Sequence, residues 1–316
     1  MPGSKNILGI TGSFGYIGKR LLARLAKSDG FDQIICTDII PPSDALPPNF
    51  HFHHCDIRDG DRLLQLFRDT GVNTVIHLAF IAHPTRDPDF EFDVDVNGTK
   101  NVISACRQLK IKKLVVASSD CAYGFFEGTP DYLKESAPVR STPGFPYSEN
   151  KAEIENLLSG FREKTPSCAV VILRPCMVMG PNADNTTTDS MKQPVIIGVR
   201  GYDPIMQFVH EDDTAEAFYL AATKEVGGAF NLAADEGLRY SQLAKELGKF
   251  FITLPAWLLY PLVEMLYRLR LLPFGKAQLD YIRYPLSMNV EKVQNELGFM
   301  PKYTSMETIR SFLEAQ

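Results

Sequence analysis

No C-x-x-C pair, no zinc-type cysteine spacing and no polybasic arm occurs in this chain of 316 residues. Its six cysteines, at 36, 55, 106, 121, 168 and 176, are scattered, several of them inside apolar runs. That pattern reads as reduced thiols, not as a disulfide framework or a metal ribbon. A formal charge of −5 leaves no basic footprint for nucleic acid. Repeats of solenoid length and low-complexity tracts are also missing. The first residues lead almost directly into an apolar strand, without the basic head and small-residue cleavage site of a secretory signal, so a cytoplasmic location is expected.

Two stretches invite special readings. His51-Phe52-His53-His54, followed by Cys55 and Asp56, collects metal-ligating residue types. Neighbours on a strand point to opposite faces, so few could meet at one ion, and no metal is expected. Residues 250–274 are strongly apolar, but Pro255 and Pro261 interrupt them and Glu264 lies inside. A spanning helix needs about 20 clean apolar residues. The expectation is therefore a lobe that packs on the core or lines an apolar substrate entrance, and membrane contact is not expected.

What is present is alternation. Apolar strand candidates at 7–11, 33–38, 50–55, 74–79, 113–118 and 169–175 are separated by stretches of helical period at 16–27, 59–69, 96–108 and 147–164. Strand, helix and strand with short links predict a parallel sheet covered on both faces. After about residue 180 the alternation loosens. Residues 180–205 read as a long loop, and the last third as mostly helical. The domain division expected is 1–180 for nucleotide binding and 181–316 mainly for substrate, with a helix and strand near 208–234 returning to the core. In His210-Glu211-Asp212-Asp213 the acids sit where a helix through Ala221 should start, with Asp212 or a neighbour as its cap.

Gly12, Gly15 and Gly18 follow the first strand and open the first helix, together with Tyr16 and Ile17. Glycines there permit a tight turn and a close backbone approach, and the helix N-terminus offers N–H donors to a pyrophosphate. Asp38 ends the second strand 20 residues after Gly18, where a carboxylate accepts hydrogen bonds from a ribose diol and repels a 2′-phosphate. NAD is favoured over NADP on that ground. Asp56 and Ile57 after the third strand are placed to bracket the adenine, and Leu78, Ala79 and Phe80 after the fourth to floor the cofactor. Phe125 and Phe126 are either a pocket wall or core.

Tyr147 and Lys151 stand four residues apart, on one face of the 147–164 helix. Such a spacing arises readily by chance in a chain with 12 tyrosines, so its setting has to decide. A phenol titrates at about 10, and poising it near neutrality takes about 4 kcal/mol. An ammonium at about 4 Å in a partly screened site supplies on the order of that amount.

Taken in order, T-G-S-F-G-Y-I-G at 11–18, Asp38, C-D-I at 55–57, H-L-A-F at 77–80 and V-V-A-S-S-D-C-A-Y-G at 115–124 are followed by Y-S-E-N-K at 147–151, L-R-P-C-M-V-M-G-P at 173–181 and F-V-H-E-D-D at 208–213. Over nearly its whole length the chain resembles the extended short-chain dehydrogenase/reductases, the NAD-dependent epimerase/dehydratase group. The resemblance implies a Rossmann-type, doubly wound, mainly parallel sheet of seven strands with a small, mostly helical C-terminal substrate lobe. It implies catalysis by Ser119, Tyr147 and Lys151, with Lys151 and Tyr147 also touching the cofactor, and it adds Pro175 to the cofactor contacts. Ser119, Tyr147 and Met177 are then the substrate contacts, and a homodimer is expected.

The reaction implied is reversible hydride transfer at a secondary alcohol or ketone of a sugar derivative. A dehydrogenase of a bulky apolar alcohol, in the manner of 3β-hydroxysteroid dehydrogenases, is the alternative, and a non-catalytic NAD sensor a lesser one. Three positions depart from the family pattern. Asp95 stands at a usual asparagine, Met177 at the asparagine of nucleotide-sugar epimerases, and only Lys192 and Arg200 are cationic between Pro181 and Phe208.

Overall fold

The computed structural model describes residues 5–81, 85–184, 188 and 191–315. Seven strands form its central sheet: β1 (Ile7–Thr11), β2 (Gln33–Asp38), β3 (Phe50–His54), β4 (Thr74–His77), β5 (Lys113–Ala117), β6 (Ala169–Pro175) and, further along, β11 (Gly228–Leu232). Their order is β11-β6-β5-β4-β1-β2-β3, and every pair is parallel. All five residues of β1 are buried, as a strand covered on both faces requires. Alternation sorts the sheet's side chains into two cores. Leu8, Ile10, Val115 and Val171 point into one; Ile7, Ile35, Leu114 and Val116 point into the other.

Among the described residues, five α-helices lie between the first six of these strands. Helix α1 (Tyr16–Leu25) packs on the Glu211–Thr223 helix over the first face, and α2 (Gly60–Thr70) covers the second. The short α3 (Pro88–Phe92) runs through a π-helical turn, Asp93–Asn97, into α4 (Gly98–Gln108). A widened turn of this kind re-aims side chains, and here it turns Asp95 inward, 1% exposed. Helix α5 (Pro146–Lys164) starts on a proline, whose fixed φ suits a first helical turn.

The strand order reverses between β1 and β4: the chain winds to β2 and β3 on one side, and to β5, β6 and β11 on the other. Carboxyl ends of strands open a crevice at such a reversal, and ligands bind there in open α/β sheets.

A polar chain crosses the core beside β5 and β6. Ser118 Oγ donates to Glu155 Oε1 at 2.5 Å, and Arg174 Nε lies 2.9 Å from the same oxygen. Arg174 Nη1 bonds Tyr123 Oη at 2.6 Å, which donates to Asn231 Oδ1 at 2.7 Å. The Arg174 and Glu155 side chains are 6% and 4% exposed, so each charge depends on the other.

Beyond β6 the chain forms small sheets. β7 (Met177–Met179) pairs with β10 (Phe208–His210), β8 (Val195–Val199) with β13 (Phe250–Leu254), and β9 (Ile205–Met206) with β12 (Leu238–Arg239). The expected loop at 180–205 thus contains a strand, because Val195-Ile196-Ile197 finds its partner some fifty residues later. The Glu211–Thr223 helix is capped not by Asp212 but by His210, whose Nδ1 accepts the Asp212 N–H at 3.1 Å. Asp212 instead meets Arg20, with Nη2–Oδ1 at 2.5 Å.

The lobe's Ala256–Arg268 helix buries Leu259 and Val263 against Val199 and Leu279. From the chain after β4, Arg86 reaches this helix's end. Its guanidinium donates to the Tyr267 and Leu272 carbonyls and stacks 4.8 Å from the Tyr267 ring.

Candidate active site

The glycine turn is shaped by backbone contact. Gly12 has φ +71°, and a Cβ there would lie 2.6 Å from the Ala79 nitrogen. A Cβ on Gly18 would lie 2.3 Å from the Gly12 oxygen, so α1 needs a glycine to meet the turn. Gly15 caps α1 in extended conformation without a side-chain hydrogen bond. The first N–H groups of α1 therefore face the crevice without a side-chain acceptor. Ile17 packs on the first core, and the Tyr16 side chain is committed elsewhere: its Oη donates to buried Glu211 Oε2 at 2.7 Å.

At the end of β2, Asp38 accepts the Phe14 N–H at 2.8 Å on one oxygen and the Ile40 N–H at 3.0 Å on the other. Two backbone bonds leave lone pairs for a diol. Asp56 is gripped by Arg58, with Nη2–Oδ2 at 2.6 Å, and those hydrogen bonds lower its pKa. Ile57 is buried against Gly98, where a Cβ would sit 2.4 Å from Ile57 Cδ1. Leu78 is fixed by its N–H to Thr11 O at 3.0 Å, and Leu78, Ala79 and Phe80 are half-buried beside the glycine turn. A turn that no side chain can enter, an uncapped helix start and an aspartate on the next strand fit a dinucleotide.

Ser119 follows β5 in extended backbone and starts the tight turn Asp120–Tyr123. Its Oγ donates to Asp120 Oδ1 at 2.8 Å and accepts the Cys121 N–H at 3.2 Å. The start of α5 is pinned to that turn by Ser148, whose Oγ donates to Cys121 O at 2.6 Å and accepts the Thr142 N–H at 2.8 Å. This pin sets the start of α5, and with it Tyr147, against the turn that Ser119 opens. Lys151, one turn on and 1% exposed, donates to Ala117 O at 2.8 Å. Its Nζ lies 3.3 Å from the Phe80 ring centroid and 5.5 Å from that of Tyr147.

The electrostatics correct the sequence expectation. Burial, reinforced by Cys121, Asp120 and Asp95, pushes the Tyr147 phenol up, and the nearby Ser119 hydroxyl opposes it only in part. Lys151 does not poise this phenol near neutrality, because its ammonium is itself desolvated. Its pKa is lowered to about 8, against the pull of Asp95, Glu155 and Cys121. Its hydrogen bond goes to a carbonyl and its charge faces the Phe80 ring.

Several neighbours of the site, among them the Asp95 that departs from the family pattern, take their contacts from separate segments. His77 is held between Thr11 Oγ1 (2.6 Å) and Thr99 Oγ1 (3.0 Å), and burial lowers it to about 3, so it stays neutral. Asp95 accepts the Ile81 N–H at 2.8 Å and meets Asn150 at 3.4 Å, and burial raises its pKa. Asp120 is raised to about 6, first by burial, with bonds from Ser119 and Cys121 opposing.

From the lobe, Tyr281 packs edge-on against Phe125 at 5.2 Å, close enough for Asp120 and Cys121 to influence it. Phe125 is core, 1% exposed, while Phe126 lies under Arg140 at 4.4 Å. Arg283 lies over the rings of Tyr202, Tyr260 and Tyr284, and its Nε is buried without a hydrogen-bond partner. It is a lobe cation outside the interval between Pro181 and Phe208. Met177 packs with Tyr16 and Tyr281 on the lobe's core, and Pro175 ends β6 opposite Leu232.

A separate cleft, lined by Lys134, Arg162 and Lys292 among others, shares no residue with the crevice. Among the described residues no three His, Cys, Asp or Glu side chains are grouped to hold a metal ion.

The fold and site define an enzyme of the doubly wound dinucleotide-binding class. The model of the NAD dependent epimerase/dehydratase family matches residues 8–233, and the chain belongs to that family. An uncharacterized protein of Mycobacterium tuberculosis is 26% identical over 323 residues, covering 100% of this chain and 85% of the relative. UDP-glucose 4-epimerase 2 of Oryza sativa subsp. japonica is 27% identical over 292 residues, covering 79% of this chain and 70% of the relative. The crystal structure of the Thermus thermophilus UDP-glucose 4-epimerase in complex with NAD superposes with a TM-score of 0.75 at 23% identity, over 98% of each chain. This protein is thus an NAD-dependent enzyme of the epimerase/dehydratase family.

Proposed function

We propose that the enzyme carries out reversible oxidation at a secondary alcohol of a sugar derivative, in the nucleotide-sugar class, with Ser119, Tyr147 and Lys151 as its catalytic residues. One observation supports the reading: the Ser148 pin ties the start of α5, which carries Tyr147 and, one turn on, Lys151, to the turn that Ser119 opens after β5. The likeness to the rice UDP-glucose 4-epimerase supports the substrate class.

Gly12, Gly15, Tyr16, Ile17 and Gly18 would hold the cofactor's pyrophosphate through backbone. Asp38 would hold its adenosine ribose, and Asp56, Ile57, Leu78, Ala79 and Pro175 would line its length. When bound, NAD supplies a two-electron acceptor and donor and, in its oxidised form, a positive charge beside the phenol. Tyr147 exchanges the proton of the substrate hydroxyl at its phenol oxygen. In the free protein the raised pKa keeps that proton on Tyr147, ready for a carbonyl oxygen; added positive charge favours the basic form needed for oxidation. Ser119 holds the reacting oxygen by a hydrogen bond. Lys151 would bind the nicotinamide ribose and add positive charge, and Met177 would line the substrate pocket. Asp120, at the far side of Ser119, is a second place for a proton near neutral pH.

Tyr147→Phe tests the assignment. NAD binding should persist while turnover falls by roughly 10²–10⁴-fold; a variant that keeps most of its activity would remove Tyr147 from the mechanism. The alternative, net oxidation of a bulky apolar alcohol, is supported by Met177, an apolar side chain that packs on the lobe's core as Tyr16 and Tyr281 do. Steady accumulation of reduced nicotinamide, read by its ultraviolet absorbance, marks that reaction, whereas an epimerase gives no net change. We propose a homodimer in the cytoplasm on the family resemblance, and sedimentation velocity reads the assembly directly.

A further inference from the structure

The Ala256–Arg268 helix is apolar on both sides. Leu259 and Val263 face inward, yet Trp257 (77% exposed), Leu258 (43%), Leu262 (38%), Met265 (50%) and Leu269 (61%) form a stripe toward water. These positions recur at i, i+1, i+5, i+8 and i+12, one face of a helix. Past the helix, Leu271 (68%) is exposed as well. Single exposed apolar side chains are ordinary, but a contiguous group of this size marks a contact surface. The sequence expectation that this segment is covered by the core holds for its inner face alone.

Charge indicates what covers the outer face. Residues 249–276 carry Lys249, Arg268, Arg270 and Lys276 against a lone carboxylate, Glu264, a local +3 in a chain of net −5. Glu264 is already bonded to Arg268 at 2.9 Å. A second copy seated on this stripe would bring these cations no other acid from the same segment. No helix among the described residues is long and apolar enough to cross a bilayer. An apolar stripe with tryptophan at one end and arginines at the other suits a helix lying in the interface of a negatively charged membrane.

We propose that this lobe docks the enzyme on anionic phospholipid surfaces, with the Trp257–Leu269 stripe in the acyl boundary and Arg268, Arg270 and Lys276 at the headgroups. The proposal does not depend on the substrate assigned above.

Trp257 is the sole tryptophan of the chain, so the unmodified protein reports on its own docking. Phosphatidylcholine vesicles with and without phosphatidylglycerol are added to the full chain, and tryptophan emission and co-sedimentation are followed. The anionic vesicles should shift the emission to the blue and carry the protein down. At about one headgroup's attraction per cation, the double variant Arg268→Gln, Arg270→Asn should bind them roughly 30-fold more weakly. Trp257→Ser with Leu269→Ser should abolish co-sedimentation while NAD binding remains. An emission unchanged by anionic vesicles overturns the proposal. So does a blue shift that follows protein concentration without lipid, which would make the stripe a contact between copies.

Discussion

Asp120→Asn isolates the cost of keeping a carboxylate at the mouth of the crevice. Asp120 is 5% exposed, and burial raises its pKa from the ordinary 3.8 to about 6. A carboxyl whose folded-state pKa is raised binds its proton more tightly in the native protein than in the unfolded chain. Its stabilising contribution is therefore complete below pH 3.8 and is lost as the pH rises through about 6. A shift of about two units corresponds to about 3 kcal/mol. Asparagine keeps an acceptor for Ser119 and cannot ionise. Relative to the parent, Asp120→Asn should gain up to about 3 kcal/mol as the pH rises from roughly 4 to 8, with most of the change between about pH 4 and pH 6. Urea unfolding of both proteins across that range measures the double difference, in which all other titrations cancel. A stability difference that stays constant with pH would refute the argument, because the carboxyl would then have the same pKa folded and unfolded.

Gly12→Ala places a residue at φ +71° with its Cβ against the Ala79 backbone. It should cost at least about 1–2 kcal/mol from the left-handed conformation alone and abolish the thermal shift given by NAD; an unaltered shift would mean that the turn is not the phosphate cradle. Glu155→Gln strands the buried Arg174 charge and should destabilise by about 3–5 kcal/mol in urea, and a loss below about 1 kcal/mol would show the pair is more solvated than its burial implies. Lys151, with its pKa lowered to about 8, loses its charge as the pH rises past that value, so kcat/KM should decline above it. A profile flat well past pH 8 contradicts a requirement for the ammonium in the free enzyme.

The parallel sheet was legible because its central strands, β1, β4, β5 and β6, are buried apolar runs. β1, β2 and β6 have the bounds the pattern gives, whereas β4 ends at His77, two residues early, as the chain leaves to form the crevice floor. The pairing of Val195–Val199 with Phe250–Leu254 was not legible, since neither run states which distant partner it meets. In the site, spacing pointed only to the Tyr147 and Lys151 pair, which share one face of α5, and Ser119 came from the family resemblance. Their electrostatics did not follow from spacing. The direction of the Tyr147 shift depends on burial and on Asp95 and Asp120, which arrive from a π-helical turn and a tight turn. His77 and Arg283 were hidden for a related reason: their partners, Thr11 and Thr99 for one and three tyrosine rings for the other, come from separate segments.

Arg86 holds an unusual station for its size. Its backbone sits at φ +64°, a region that side chains with a Cβ seldom adopt, and its guanidinium grips two carbonyls at the end of the lobe helix. Those carbonyls belong to Tyr267 and Leu272, on either side of the point where the Ala256–Arg268 helix stops, so one residue in a left-handed backbone ties the chain after β4 to the end of the element that carries the outer stripe. Trimming it to alanine would remove both bonds and the ring contact at once and leave that helix end to solvent.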